Sequence, residues 1–559
     1  MTEQTAGQDQ GPPVPVADVV NTVAGTVCRD TRHRIHYRED GEIRSLSLAD
    51  LDAAAVRVAA RLHALGIRAR DRVGVMAPNR IEWVLLDLAA LKLGAVTAGI
   101  EPDRHQPAAV LAEFGLGLLF TGDPHHVGDA SGALVHDIAQ VHAWAFDAAG
   151  TPADAPALPP HPGYDPADIC AVKQTSGSTG PPKGIEVTVA SVNRSLAAVQ
   201  EMFDHRDGDN LLVFLPVRFL QQRYWIYSAL AHGHDVTLAD RVTAVETAHA
   251  VSPTVIMGVP GFYGQLMTRL EADGIPADPA GRGAAIQQAL GGRIRYLWTG
   301  SAPAGRQVLH YFHDAGVPLH EGYGLNETCI VTKNHPGAFR VGSVGRVLPH
   351  KRIRFDKDGI LIVGSSHPVN TRYTWCAPGA NERVFLPTGE VKTYDIGHVD
   401  EDGFLYIDGR VDDIVTLSGA LNILVPLVEE RLRELPGVHD CAVFGDGRPY
   451  LTAVVSPATP DLDGEALARD LAKLNQELRY EQRLFAAVIA DEPFSIENGL
   501  LNAQYKLMRT PIGARYAGDL ERAYAEHRIY NDGTVGDAPV LVTAAAGPPH
   551  GGRTEDERK

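Results

Sequence analysis

The chain has 559 residues, too many for one compact core, so about two to four domains are expected. Hydrophobic residues make up 44% of it, enough for several cores, and 51 Lys and Arg against 69 Asp and Glu give a formal charge of −18. That balance argues against a nucleic-acid partner or a polybasic membrane anchor, and leaves room for anionic small molecules at local basic sites.

Residues 1–15 lack the basic start and apolar core of a secretory signal and read as a disordered N-terminus. From Ser47, Leu48, Leu51, Ala55, Val58, Leu62 and Leu65 share one helical face, with Ser47 and Asp50 as a capping pair. "DRVGVMA" reads as a strand and "NRIEWVLLDLAALKLG" as a helix. The most apolar stretch, "WVLLDLAALKLGAVTAGI", is broken by Asp87 and Lys92 and predicts a buried helix, not a membrane span. "DICAVKQ" is a strand and "VASVNRSLAAVQEMF" a helix. Strands return at "LLVFLP", "HDVTLA", "PTVIMGVP" and "IRYLWTG", an alternation that predicts α/β architecture with helix-covered sheets. Near residue 351 the texture changes to strands with Asp-Gly turns, in "KRIRFDKDGILIVG" and "VDEDGFLYIDGR". Helix and strand alternate again in "PLVEERLRELPGV", "DCAVFGD" and "YLTAVVS". The expected organisation is therefore a large domain over 16–411 with a strand-rich subdomain, and a small α+β domain over 412–520. A C-terminal extension over 521–559 follows, disordered from about 531. Cys28, Cys170, Cys329, Cys376 and Cys441 have no CxxC or zinc-type spacing, and read as reduced thiols of a cytoplasmic protein.

One segment carries chemistry on its face. "QTSGSTGPPKG", residues 174–184, combines three glycines and four hydroxyl side chains with Lys183. Glycines turn backbone N–H groups inward without steric cost, hydroxyls add donors, and lysine adds a mobile positive charge: the ingredients of a polyphosphate cradle. A solvated Gly/Ser/Pro linker has the same composition. Placement between a strand and a helix favours the cradle, since a helix N-terminus also presents N–H groups to phosphate. The loop differs from the nucleotide loop of kinases and GTPases, because Pro181-Pro182 precedes the lysine and Gly184 follows it.

Three further motifs follow in order: "EGYGLNET" at 321–328, "KTYDIGHVDEDGFLYIDGRVDDI" at 392–414 and "ENGLLNAQYKLMR" at 497–509. Together with the loop they resemble the adenylate-forming superfamily of acyl- and aryl-CoA synthetases, luciferases and peptide-synthetase adenylation domains, over roughly residues 30–520. The last motif, "FLPVRFLQQR" at 214–223 and "PTVIMGVPGFY" are most similar to the long-chain acyl-CoA synthetase branch. The resemblance implies that a hydrophobic carboxylic acid reacts with ATP and magnesium to give an acyl-adenylate and pyrophosphate, and that CoA then displaces AMP. It also implies a C-terminal domain that rotates between the two steps about a hinge at Asp412.

By the same resemblance, Thr175, Ser176, Gly177, Ser178, Thr179, Gly180 and Lys183 handle the β- and γ-phosphates. Tyr323 lies against the adenine and Gly324 leaves room for it. Gly300, Ser301, Ala302, Glu321 and Gly322 are further nucleotide contacts. Glu327 holds magnesium, as suits a hard cation that prefers carboxylate oxygen. Asn326 stands where the family usually has threonine, and its amide can still donate to the α-phosphate. Asp395 accepts from the ribose hydroxyls, with Tyr394 beside it in place of a usual glycine, and Arg410 is a second ribose or phosphate contact. Lys506 bridges the acid and the α-phosphate, with Tyr505 replacing another glycine. Gly419, within Ser418-Gly419-Ala420, lines the pantetheine channel.

Phe219 takes the place of a histidine that borders the acid in relatives, and Arg223 keeps a family arginine. Trp225, Phe262 and Tyr263 are candidates for an apolar acid pocket, or for ordinary core. The expected partners are a bulky or long-chain hydrophobic acid, ATP and CoA. Two alternatives stand beside this reading: transfer to an acyl carrier protein or completion by a partner ligase, and a non-catalytic nucleotide-binding homologue, suggested by Asn326, Tyr394 and Phe219.

Overall fold

A computed structural model describes residues 17–102, 106–123, 125, 134–146, 158–175, 183–276, 278–502, 505–526 and 540–545. The chain falls into two compact units. The first comprises Met1–Ala304, Val308–Thr393 and Val399–Tyr406; the second comprises Gly305–Gln307, Tyr394–His398 and Ile407–Lys559. The expected N-terminal disorder over 1–15 lies outside the described residues.

Two large sheets build the first unit. One has six strands, in the order Val135–Asp137, Leu118–Thr121, Arg72–Met76, Val96–Gly99, Ile169–Thr175 and Lys183–Thr188. All neighbours are parallel except the last pair, which is antiparallel and joins Gln174 to Gly184 and Thr175 to Lys183. The other has nine strands. Its parallel middle runs Leu319–Leu325, Tyr296–Thr299, Val255–Met257, Asn210–Val213, Asp235–Leu238 and Arg34–Glu39, and antiparallel strands extend both edges. Strands such as Asn210–Val213 and Tyr296–Thr299 are buried at every position, as parallel strands covered on both faces must be.

The helix Leu48–Ala64 begins where its sequence says. Ser47 Oγ accepts from the Asp50 N–H at 3.0 Å and donates to Asp50 Oδ2 at 2.7 Å, a reciprocal cap. Its apolar face packs on Ile81–Lys92, a helix buried at all twelve positions. Such a helix must pair the charges it carries inward. Lys92 Nζ meets Asp52 Oδ1 at 2.6 Å, and Asp87 Oδ1 and Oδ2 accept from Arg223 Nη1 and the Tyr227 hydroxyl, each at 2.6 Å. Removing one member of such a buried pair typically costs about 3–5 kcal/mol. The apolar stretch read as one buried helix is in fact two elements, since the helix ends at Lys92 and a strand follows at Val96–Gly99. No helix among the described residues is long and apolar enough to cross a membrane.

Both Asp-Gly turns close hairpins as read. Lys351–Phe355 pairs antiparallel with Ile360–Ser365, and Gly359 and Gly403 hold φ of 76° and 83°, which glycine adopts without strain. These strands, with Val391–Val399 and Leu405–Arg410, form a four-stranded sheet.

The second unit contains a four-stranded sheet in the order Val438–Phe444, Leu451–Pro457, Leu484–Ile489 and Leu541–Ala544. Helices Val425–Arg433 and Gly464–Glu477 bring Val428, Leu432, Leu467 and Leu471 to its core. The last strand corrects the expectation of a disordered tail from about 531: Leu541–Ala544 pairs in parallel with Ala486–Ile489. Valine and leucine in "VLVT" supply a strand-forming, half-buried surface that outweighs the Gly- and Pro-containing composition on either side. All five cysteines are free thiols.

Candidate active site

The loop singled out by sequence, Ser176, Gly177, Ser178, Thr179 and Gly180 with Pro181-Pro182, lies outside the described residues. Its two anchors do not. Thr175 ends one strand and Lys183 begins the next, so the loop joins two antiparallel strands. This corrects the expected strand-to-helix connection: the helix Val189–Phe203 starts only after the Lys183–Thr188 strand.

Lys183 and Gly184 are pinned from the other side by a segment that sequence reading missed. Gly184 N donates to Trp375 O at 3.1 Å, and Thr374 N donates to Gly184 O at 2.8 Å. A Cβ on Gly184 would lie 2.2 Å from the Trp375 ring, so glycine is obligatory there. One residue back, the Lys183 ammonium sits 4.9 Å from the centroid of the Tyr373 ring. The Tyr373 hydroxyl donates to Glu327 Oε1 at 2.7 Å. Two residues read as separate parts of the site thus meet at the two ends of one tyrosine. Nothing periodic marks Tyr373 in "PVNTRYTWC"; an aromatic cluster in an otherwise polar connection is the one signal it leaves.

Behind Glu327 lies a buried basic cluster. Burial holds the Lys173 ammonium below the usual lysine range, with Cys329 and Glu327 opposing. Burial brings the Lys351 ammonium down to about 8; Lys351 donates to Thr328 O at 2.7 Å and Ser365 Oγ at 3.0 Å. Burial raises the Cys329 thiol, but Lys173 together with hydrogen bonds from Ser195 and Tyr224 brings it below the ordinary thiol range. Burial and the neighbouring lysines thus act against one another here: the ammonium groups are destabilised while the thiolate beside them is favoured.

The 300–302 and 321–324 segments run side by side from the ends of two parallel strands paired at Thr299 and Glu321. Ends of parallel strands are where open α/β sheets place ligands. Gly300 allows close approach, since a Cβ would lie 3.0 Å from Gly322 O, and Ser301 takes a φ of 71°. Glu321 is buried, and its Oε1 accepts from the Ala304 N–H at 2.8 Å. Two glycines have packing reasons of their own. A Cβ on Gly322 would lie 2.6 Å from Lys333 Cδ, and one on Gly324 2.1 Å from Cys329 O. The second is a packing reason for glycine, separate from the room for a base that the resemblance implies: a Cβ would meet the backbone of the neighbouring strand. Tyr323 and Ala302 are half-buried next to these positions.

In the second unit, Asp395, Arg410 and Lys506 come together from distant parts of the sequence. Arg410 Nη1 donates to Asp395 Oδ1 at 2.7 Å. Burial and Arg410 hold the Lys506 ammonium below the usual lysine range, with Asp395 opposing. A tight turn fixes the lysine backbone, with Lys506 N donating to Asn502 Oδ1 at 3.1 Å and Asn502 N to Lys506 O at 2.9 Å. Tyr394 and Tyr505 stand at φ of 62° and 57°, so both departures from the family's glycine fall in the left-handed region. Gly419 lies in the exposed turn between Ile414–Thr416 and Asn422–Leu424, and Asp412 in a short 3₁₀ turn, 4.0 Å from Arg410.

Of the two readings left open for Trp225, Phe262 and Tyr263, the structure supports ordinary core. Arg223 is 1% exposed and committed to Asp87. Trp225 Nε1 donates to Met257 Sδ, Tyr263 donates to the Ile256 and Trp298 carbonyls, and Phe262 packs 4.5 Å from the Phe214 ring; all three are core. Phe219 alone is half-buried, with the Arg218 guanidinium 4.6 Å over its ring.

Residues 26–360 match the AMP-binding enzyme family, and residues 412–528 match the AMP-binding enzyme C-terminal domain. The chain is similar to the long-chain-fatty-acid–CoA ligase FadD15 of Mycobacterium bovis, 27% identical over 84% of this chain and 91% of that protein. Its fold is that of MatB from Rhodopseudomonas palustris bound to ATP, with TM-score 0.73 at 22% identity, over 90% of this chain and 99% of that one. It is also that of O-succinylbenzoate coenzyme A synthetase from Bacillus subtilis in complex with ATP and magnesium, with TM-score 0.69 at 22% identity, over 91% and 99%. With more than half of its length matched, and the motifs of the nucleotide site in their order, the chain belongs to the AMP-binding enzymes, the adenylate-forming superfamily, with long-chain fatty-acid CoA ligases among its relatives.

Proposed function

We propose that this protein activates a hydrophobic carboxylic acid with ATP and passes the acyl group to CoA. The observation that carries the reading is the gathering of Asp395, Arg410 and Lys506, 111 residues apart in sequence from first to last. A carboxylate is a poor electrophile until its oxygen is turned into a leaving group. Its attack on the α-phosphorus of ATP expels pyrophosphate and leaves a mixed anhydride with AMP; a thiol then attacks the acyl carbon and AMP departs. The first step brings two anions together, so its barrier falls most where fixed positive charge meets their oxygens.

In this reading Lys506 supplies that charge between the acid and the α-phosphate, and its desolvated setting strengthens the interaction. Asp395 receives the ribose hydroxyls while Arg410 orients it. Lys183 and the 175–180 loop take the β- and γ-phosphates, the Asn326 amide donates nearby, and Tyr323 flanks the base. Glu327 suits magnesium: its Oε1 is fixed by Tyr373, and its Oε2 takes no hydrogen bond among the described residues. Magnesium, when bound there, supplies further positive charge to the phosphates.

The hydrophobic acid is supported by the fatty-acid ligases among the relatives and by Phe219, an aromatic side chain where a polar one borders the acid elsewhere in the family. The test is a panel of fatty, aryl and polycyclic acids with and without CoA, read as acyl-CoA by mass. Turnover of long-chain or polycyclic acids well above that of acetate is expected. Equal turnover of acetate removes the selectivity, and acyl transfer only to a carrier-protein thiol replaces CoA.

A further inference from the structure

Glu327 and Lys183 have opposite charges and occupy adjacent places in the first unit, yet they form no ion pair with each other. The Tyr373 ring stands between them. Its hydroxyl donates to Glu327 Oε1 at 2.7 Å, and its face lies 4.9 Å from Lys183 Nζ. The ring is itself held. Tyr373 is 3% exposed, its N–H donates to Asn381 Oδ1 at 2.6 Å, Phe385 packs edge-on at 5.1 Å, and Thr374 and Trp375 are hydrogen-bonded to Gly184 beside Lys183.

A direct Lys183–Glu327 ion pair would use up both groups: the ammonium would be turned from the phosphates and the carboxylate from a metal. A ring face attracts a cation without neutralising it, and a phenol donor fixes one carboxylate oxygen while leaving the lone pairs of the other for a hard cation. We propose that Tyr373 is a positioning residue that keeps Glu327 and Lys183 apart and presents each to its own ligand, the carboxylate to the divalent metal and the ammonium to the polyphosphate. This rests on the adenylation reading above, and separates two effects in one side chain: the hydroxyl acts on the metal, the ring on the lysine.

The experiment measures Mn2+ binding by electron paramagnetic resonance in the presence of α,β-methylene-ATP, whose α–β bridge cannot be cleaved to transfer the adenylyl group, and metal-free binding of the same analogue by calorimetry. Tyr373→Phe keeps the ring and removes the donor; it should weaken Mn2+ binding about tenfold and leave metal-free nucleotide affinity within about twofold. Tyr373→Leu removes both and should weaken the two together. In a Glu327→Gln background, Tyr373→Phe should add less than about twofold, because its effect passes through the carboxylate. Unchanged Mn2+ binding in folded Tyr373→Phe, or the same loss with and without Glu327, overturns the role of Tyr373 alone. A wild-type protein that binds no Mn2+ with the analogue overturns the adenylation reading as well.

Discussion

Lys506 and its neighbours set a pH dependence with a definite sign. Burial and then Arg410 destabilise the ammonium, while Asp395 favours it, and the net effect is a proton lost at lower pH than from an ordinary lysine. Adenylation that requires the ammonium should therefore fall on the alkaline side below the usual lysine value of about 10.4. Replacing Arg410 by Gln removes a like charge and releases Asp395 to the lysine, so both changes raise the Lys506 pKa. The alkaline limb of acid-dependent pyrophosphate release should move to higher pH in Arg410→Gln, even if the plateau is lower. A limb that stays put or moves down would show that Arg410 does not set the lysine. Tyr505 offers a separate test of backbone strain, since a side chain at its φ of 57° costs about 1–2 kcal/mol. Asparagine tolerates that conformation and valine does not. Tyr505→Val should unfold at lower denaturant than Tyr505→Asn by about 1 kcal/mol, whereas equal stability would mean that the turn relaxes freely.

The element that anchors Lys183 is the antiparallel pair Ile169–Thr175 and Lys183–Thr188, with the 373–375 segment bridged to Gly184. Sequence made the first strand and the following helix legible, because "DICAVKQ" holds a short apolar run and "VASVNRSLAAVQEMF" has helical period. It missed the second strand, since "KGIEVT" begins in the shadow of two prolines and a glycine-rich run, where turn signals dominate any reading of period. Gly184→Ala should cost about 1–3 kcal/mol of stability through the clash with the Trp375 ring, as overpacking does. In a Trp375→Leu background the same change should cost less than about 1 kcal/mol. Additive losses in chemical denaturation would mean that the strand moves away from the tryptophan instead of being held against it.

For the molecule as a whole, periodicity carried the architecture of both large sheets, because parallel strands and their covering helices write their burial into short apolar runs and 3.6-residue spacing. Ordered motifs named the candidate site residues, but not which of them share a neighbour. Tyr373 and Lys173 were invisible since their neighbours are distant in sequence, and Trp225, Phe262 and Tyr263 left pocket and core both open because a packed aromatic has the same composition as a pocket lining. The C-terminal strand Leu541–Ala544 was lost among Gly- and Pro-containing flanks, though Leu541, Val542 and Thr543 with Ala544 sufficed to extend the sheet. The proposed first step is acyl-adenylate formation, and ATP–pyrophosphate exchange without CoA addresses that step alone. Exchange of labelled pyrophosphate into ATP is predicted only when a hydrophobic acid is present, and Lys506→Ala should abolish it while sparing acyl-CoA formation from a supplied acyl-adenylate. ATP consumed to ADP and orthophosphate, with no exchange in the presence of any acid that is consumed, would contradict the account.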